Sequence, residues 1–177
     1  MHTMETLTSR KSIRSFTGEN ISSEELALLL KAANAAPVGM GQYESVHLTV
    51  IQNTELLQKI DAAGAVLFGD PDMHPLYGAP ALIMISSIAP APMRENVAFS
   101  NAAIIAHNIA LEAVELGIGA CLIWGATMAM AKDPALVSAL ELPEGFVPCC
   151  AVAVGRTDAK YEIREIPEDR IATNYIV

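Results

Sequence analysis

NVAFSNAAIIAHNIALEAVELGIGACLIWG, residues Asn96 to Gly125, is the stretch on which the fold turns. From Val97 to Leu116 the apolar residues fall on nearly every face of a helix, and a helix apolar all round predicts burial all round. At 1.5 Å rise per residue it spans about 30 Å, the width of a small domain. A chain of 177 residues has little surface left to wrap such a helix alone, so a second subunit is the expected cover. Ser100, Asn101, His107, Asn108, Glu112 and Glu115 interrupt the run too often for a membrane span. On this reading His107 is a hydrogen-bonded core histidine. Gly117 fits the helix stop, and Gly119 to Trp124 reads as a short buried strand that delivers Trp124 and Gly125 to the end of a sheet.

Composition narrows the class. Hydrophobic residues make up 52% of the chain, a large core for one domain spanning residues 1–177, and suit an obligate oligomer or a bound aromatic cofactor. The net charge of -9 excludes nucleic acid and anionic membrane as natural partners, since both present phosphates that an acidic surface repels. No signal-peptide succession opens the sequence and no uninterrupted span-length apolar run occurs, so a cytoplasmic protein is expected. Cys121, Cys149 and Cys150 lie in apolar strand-like runs without CxxC spacing, which predicts reduced, buried thiols.

Taken from the N-terminus, Met4 to Arg10 forms a short helix followed by SRKSIRSF. Arg10, Lys11 and Arg14 are three of only eleven basic residues, gathered within five positions of an acidic chain. Ser12 adds a hydroxyl, while Ile13 and Phe16 alternate as apolar anchors. Such a strip is either a solvated basic face or a seat for an anion. Ser22 or Ser23 caps a helix from Glu24 that Pro37 ends, and PVGMGQY after it has the composition of a loop that lets a flat ligand approach its backbone, or of a plain turn. Val46–Gln52 reads as a strand and Asn53 or Thr54 caps a helix to about Ala65. LFGDPDMHPLYGAP reads as a mobile or lid-like loop; Asp70, Asp72 and His74 within it match no ligand spacing, so no metal is expected. Ala81–Ser87 is a second strand, APAPM a rigid connector, and Pro148–Val154 a fourth strand beyond a loop and a short helix from Asp133 to Leu140. The charged arm after Gly155 ends in ATNYIV, whose β-rich character predicts pairing with another subunit's sheet edge.

No nucleophile, base and orienter can be assembled from GxSxG, HExxH, P-loop or Cys–His motifs. An enzyme built on this chain needs a cofactor to supply the reactive atom. RKSIRSF after a short first helix, a helix ending in AAP with a loop and Gln42 beyond it, the strand CLIWG, and IPEDRI near the terminus together resemble the FMN-dependent nitroreductase family, in order and over nearly the whole chain. The resemblance implies an α+β fold with a central, mostly antiparallel four- to five-stranded sheet flanked by helices, a homodimer with C-terminal strand exchange, and non-covalent FMN at the dimer interface. It implies electron transfer from NADH or NADPH to nitroaromatics, quinones or related small acceptors. Carried over by position, Arg10, Lys11, Ser12 and Arg14 match the phosphate and flavin contacts, and Arg170 the basic residue returning to the phosphate. Pro37, Val38, Gly39, Met40 and Gln42 match the loop reaching the ring from the other subunit, and Trp124 with Gly125 the turn facing flavin N5. Gly41, Gln42, Tyr43 and Glu44 depart from the family's usual continuation, which leaves a non-catalytic flavin-binding protein as the alternative to an oxidoreductase.

Overall fold

The computed structural model describes residues 2–88 and 94–177, with Arg94 and Glu95 described by their backbone alone. The expected connector APAPM, residues 89–93, lies outside the described residues. In chain order the elements are α1 (Thr3–Ser9), α2 (Ser23–Asn34), β1 (Val46–Ile51), α3 (Thr54–Phe68), β2 (Ala81–Ile88), α4 (Arg94–Glu115), β3 (Gly119–Ile123), α5 (Gly125–Ala131), α6 (Pro134–Ser138) and β4 (Phe146–Gly155). The sheet has four strands in the order β1-β2-β4-β3, and every pair is antiparallel.

The two central strands are covered on both faces, which is why they read as continuous apolar runs and not as alternating ones. On one face Ala81, Ile83 and Ile85 of β2 and Cys150, Val152 and Val154 of β4 meet α2 and α4. On the other, Leu82, Met84, Ala151 and Ala153 meet α3, α5 and α6. The small side chains of Ala151 and Ala153 let α5 lie close. Where α3 crosses it, a Cβ at Gly64 would fall 3.0 Å from the Ala126 Cβ and 2.5 Å from Pro75 Cγ, so the crossing requires glycine there.

Caps fix the helix ends. Ser22 accepts from the Glu25 N–H and Glu25 reaches back to the Ser22 N–H, a reciprocal box that starts α2 one residue earlier than expected. The helix ends at Asn34 with Ala35 as its cap, ahead of Pro37. Asn53 caps α3, which continues past Ala65 to Phe68 and stops on Gly69 in the left-handed region at φ 68°. The segment after it is less lid-like than its composition suggested, because Pro75, Leu76 and Ala79 are buried. At the end of α4 the Ile118 N–H bonds the Ala113 carbonyl and Gly117 takes φ 66°, the stop read from the sequence.

Within one chain α4 is covered on part of its surface only. It packs on the sheet through Ala98, Ala102, Ile105, Ala106, Ile109 and Ala113, but Val97 is 42% and Ile104 40% exposed, and His107 is exposed with them. A single sheet face covers one side of a helix, so a helix apolar all round keeps an uncovered stripe within one chain. Within one chain His107 therefore stands on the open stripe and not in the core. Partial desolvation, with the nearby Arg10 charge adding to it, holds its imidazole below the ordinary range.

The thiols are free and buried. Burial pushes the Cys149 thiol up to about 11 and the Cys150 thiol to about 12, and raises Cys121 as well. The folded protein is accordingly expected to leave all three unmodified by a disulfide reagent at pH 8 and to yield all three on unfolding in urea. Rapid stoichiometric labelling of the native state would contradict this burial.

After Gly155 the chain turns along the N-terminal segment. The Thr17 N–H donates to the Arg156 carbonyl at 3.0 Å and the Arg156 N–H to the Glu19 carbonyl at 3.1 Å, while the Arg156 guanidinium bonds Glu25 Oε2 at 2.7 Å. The Tyr161 hydroxyl then donates to the Ile118 carbonyl at 2.7 Å. Beyond Arg164 the tail is exposed, with Tyr175 at 87% and Ile176 at 94%, and within one chain the expected terminal strand does not form. A strand needs a partner edge, and β1, paired among the described residues to β2 alone, offers one.

Candidate functional site

The basic strip lies against β3, the other edge strand. Ile13 is buried, and its N–H donates to the Ala120 carbonyl at 2.9 Å, which lays residues 10–14 along the strand. Arg14, Ser12 and Arg10 all act on the Cys121 thiol, each opposing the rise that burial causes, so the three side chains share the neighbourhood of that sulfur. Lys11 is half-buried. The Arg14 guanidinium carbon lies 5.9 Å from the centroid of the Tyr77 ring, a cation–π contact that holds it in place.

The tail adds a cation that the motif reading passed over. Arg164 Nε donates to the Thr8 carbonyl at 2.9 Å and Arg164 Nη2 to the Arg10 carbonyl, which sets its guanidinium at the head of the strip. Arg170 is not brought there by any described hydrogen bond; it is exposed, with its backbone N–H on the Pro167 carbonyl at 3.4 Å. Arg164 is one of four basic residues in a mixed-charge arm, six positions before the IPEDRI arginine that the family pattern pointed to, and nothing in the sequence sets it apart.

The loop at 37–42 rests on α4. The Gly39 N–H donates to Asn101 Oδ1 at 3.0 Å, Val38 is buried, and a Cβ on Gly39 would come within 3.0 Å of Val97 Cγ1. Pro37 and Gln42 face solvent, and Met40, at φ 57°, is 81% exposed. A non-glycine residue in the left-handed region stores strain of about 1–3 kcal/mol, here spent on projecting an apolar side chain into solvent. None of the described hydrogen bonds of this loop reaches residues 10–14 of the same chain.

Trp124 and Gly125 stand at the far end of β3. Trp124 precedes α5 and lies half-exposed against Phe99 of α4, their centroids 5.6 Å apart and tilted by 55°. Gly125 opens α5, a helix not expected from the sequence. A Cβ there would fall 2.3 Å from Phe68 Cζ, so the contact with α3 demands a glycine at this position whatever else approaches its backbone. Asp70, Asp72 and His74 do not converge: the His74 ring bonds Asp61, and Asp70 accepts the Asp72 N–H. Among the described residues no group of three such side chains gathers.

The electrostatics of the strip are what single it out. Arg10, Lys11, Arg14 and Arg164 take part in no ion pair among the described residues, although the chain carries a net charge of -9. Cations left uncompensated side by side repel one another, and an anion with several acceptor oxygens removes that penalty through charge-assisted hydrogen bonds. A phosphate monoester fits this donor set: guanidinium forks, an ammonium and the Ser12 hydroxyl, with the half-exposed Trp124 beyond for a flat group.

Known proteins resemble this chain in sequence and in fold. The family model described as "Nitroreductase family" matches residues 7–156. An "FMN reductase (NADPH)" of Bacillus subtilis (strain 168) is 26% identical over 165 residues, which cover 87% of this chain and 65% of that protein, so the chain spans about two thirds of that relative's length. Among solved structures, a nitroreductase with bound FMN from Desulfitobacterium hafniense DCB-2 superposes with a TM-score of 0.83 at 26% identity, covering all of both chains. A nitroreductase with bound FMN from Bacteroides fragilis NCTC 9343 gives 0.80 at 25% identity, covering 99% of this chain and 100% of that one.

Proposed function

The chain belongs to the nitroreductase family, and from that premise we propose that it is a single-domain, cytoplasmic oxidoreductase. It takes electrons from NADH or NADPH and delivers them to a nitroaromatic, quinone or related small acceptor, with non-covalent FMN as its cofactor. The observation that carries the reading is the strip of Arg10, Lys11, Arg14 and Arg164, without acidic partners among the described residues.

In this reading Arg10, Lys11, Ser12 and Arg164 hold the phosphate. Each hydrogen bond to a charged group contributes roughly 1.5–3 kcal/mol, so four of them approach the roughly 8 kcal/mol of a micromolar complex. Arg14, steadied by Tyr77, reaches the polar edge of the ring. Trp124 and Gly125 would present backbone to it, and the Gly125 N–H would favour negative charge on the ring. Bound in that seat, FMN supplies the two-electron chemistry that no side chain of this protein offers. Reductant and acceptor occupy one face in turn, a ping-pong order.

A homodimer completes the site. The exposed α4 stripe with Val97 and Ile104 forms the contact, Pro37 to Gln42 extend to the partner's ring with Met40 at their tip, and the tail beyond Arg164 pairs with the partner's free β1 edge. Arg170 belongs to that crossing arm and acts on the partner's side of the assembly.

Stopped-flow mixing of the FMN-loaded protein with NADH and with NADPH is expected to bleach the flavin absorbance with at least one of them, and added menadione to restore it. A yellow protein that neither nucleotide reduces would establish the flavin-storing alternative instead.

A further inference from the structure

A second concavity of about 580 Å³ lies apart from the basic strip, between the turn at Gly18–Asn20, the first half of α3 and the loop from His74 to Pro80. Thr54, Gln58 and Asp61 recur at helical spacing on α3 and turn one face of the helix into its wall. Asp61 also fastens the opposite wall: Oδ1 accepts the Leu76 N–H at 2.8 Å, and Oδ2 bonds the His74 ring at 2.7 Å. Tyr77 is held at φ 57°, its N–H on the His74 carbonyl at 2.8 Å. Its ring lines the cavity and also carries the Arg14 guanidinium.

The lining defines what fits. No lysine or arginine lines it, and its one carboxylate is engaged by Leu76 and His74, so a phosphorylated ligand finds no guanidinium or ammonium in the wall itself. Three primary amides, Asn20, Gln52 and Gln58, border it. The only described hydrogen bond among them, Gln52 Nε2 to Asn20 Oδ1, is long at 3.4 Å. A primary amide sets donors and an acceptor side by side, the complement of another amide. Leu57, Leu76 and the Tyr77 ring give an apolar slot beneath.

We propose that this cavity is a second binding site, for a small, neutral, planar ring bearing a carboxamide or lactam edge. The amides of Gln52 and Gln58 pair with that edge, and the ring lies against Leu57, Leu76 and Tyr77. The site stands on its own residues and does not depend on FMN being the cofactor.

The probe is nicotinamide, titrated into the full-length purified protein by NMR, with benzoate as its charged counterpart and FMN content measured in parallel. Saturable nicotinamide binding is expected at millimolar concentration, at least tenfold tighter than benzoate. Gln58 is exposed, so Gln58→Trp fills the cavity without entering the core, and it is expected to weaken binding at least tenfold with thermal stability and FMN content unchanged. Gln52→Leu, which keeps the volume and removes the amide, is expected to do the same. Absence of saturation, equal affinity for benzoate, or binding that survives Gln58→Trp would each overturn the proposal. Loss of FMN in Arg10 variants with nicotinamide binding intact would leave it standing, so the two readings fail separately.

Discussion

Replacing Arg10 and Arg164 together by alanine is expected to lower FMN retention at least a hundredfold. Two charge-assisted hydrogen-bonding groups at roughly 1.5–3 kcal/mol each amount to a loss of about 3–6 kcal/mol, and 1.4 kcal/mol is a tenfold change. The Arg164 guanidinium is fixed by the Thr8 and Arg10 carbonyls, both on the chain segment that carries the other cations, so its position is prepared before any anion arrives. Preorganisation of this kind is why truncation costs more than for a free surface arginine. The matched control is Arg170→Ala alone, whose side chain no described hydrogen bond brings to the strip. Equilibrium dialysis against FMN reads both, and circular dichroism confirms that the variants are folded. Retention undiminished in the double variant would place the phosphate elsewhere; a loss in Arg170→Ala equal to that of Arg164→Ala would restore the IPEDRI arginine to the seat.

Deleting residues 171–177 is expected to raise the dimer dissociation constant at least a thousandfold, read by sedimentation at micromolar protein. Ile171, Tyr175, Ile176 and Val177 are almost wholly exposed in the single chain. Fully burying such side chains yields roughly 1.5–3 kcal/mol each, and ordering each consumes about 0.5–1.5 kcal/mol of that. The remainder across these side chains, with backbone pairing to β1, exceeds the roughly 4 kcal/mol that a thousandfold represents. Thermal stability of the sheet and helices within each chain is expected to change little, because the deleted residues touch none of the core. A truncated protein that remains dimeric at nanomolar concentration would assign the assembly to the α4 stripe alone.

The sequence made some of this architecture legible and concealed the rest, for physical reasons that can be named. Continuous apolar runs at Ala81–Ser87 and Pro148–Val154 could be read as strands because both faces of β2 and β4 are covered, and Gly117 marked the end of α4 because only the left-handed region closes that turn. α5 was hidden. Trp124 offers no side-chain cap, and Gly125 looks like a turn residue until Phe68 is seen lying where its Cβ would be. The all-apolar α4 pointed to a cover from a second subunit, and within one chain Val97, Ile104 and His107 stand on an open stripe. At the site, the clustering of Arg10, Lys11 and Arg14 was visible as charge in an acidic chain. Arg164 was not, because the contact joining it to Arg10 spans 154 positions and leaves no periodic trace.

The stitching of residues 10–19 to the opposite end of the chain bears on how the protein is made. Ile13 waits for Ala120, Thr17 and Glu19 for Arg156, and Thr8 with Arg10 for Arg164. This early segment is thus among the last to find its place, and long-range closure of this sort is slow. Until Ala120, Arg156 and Arg164 have been made, the strip from Arg10 to Arg14 lacks the contacts that hold it.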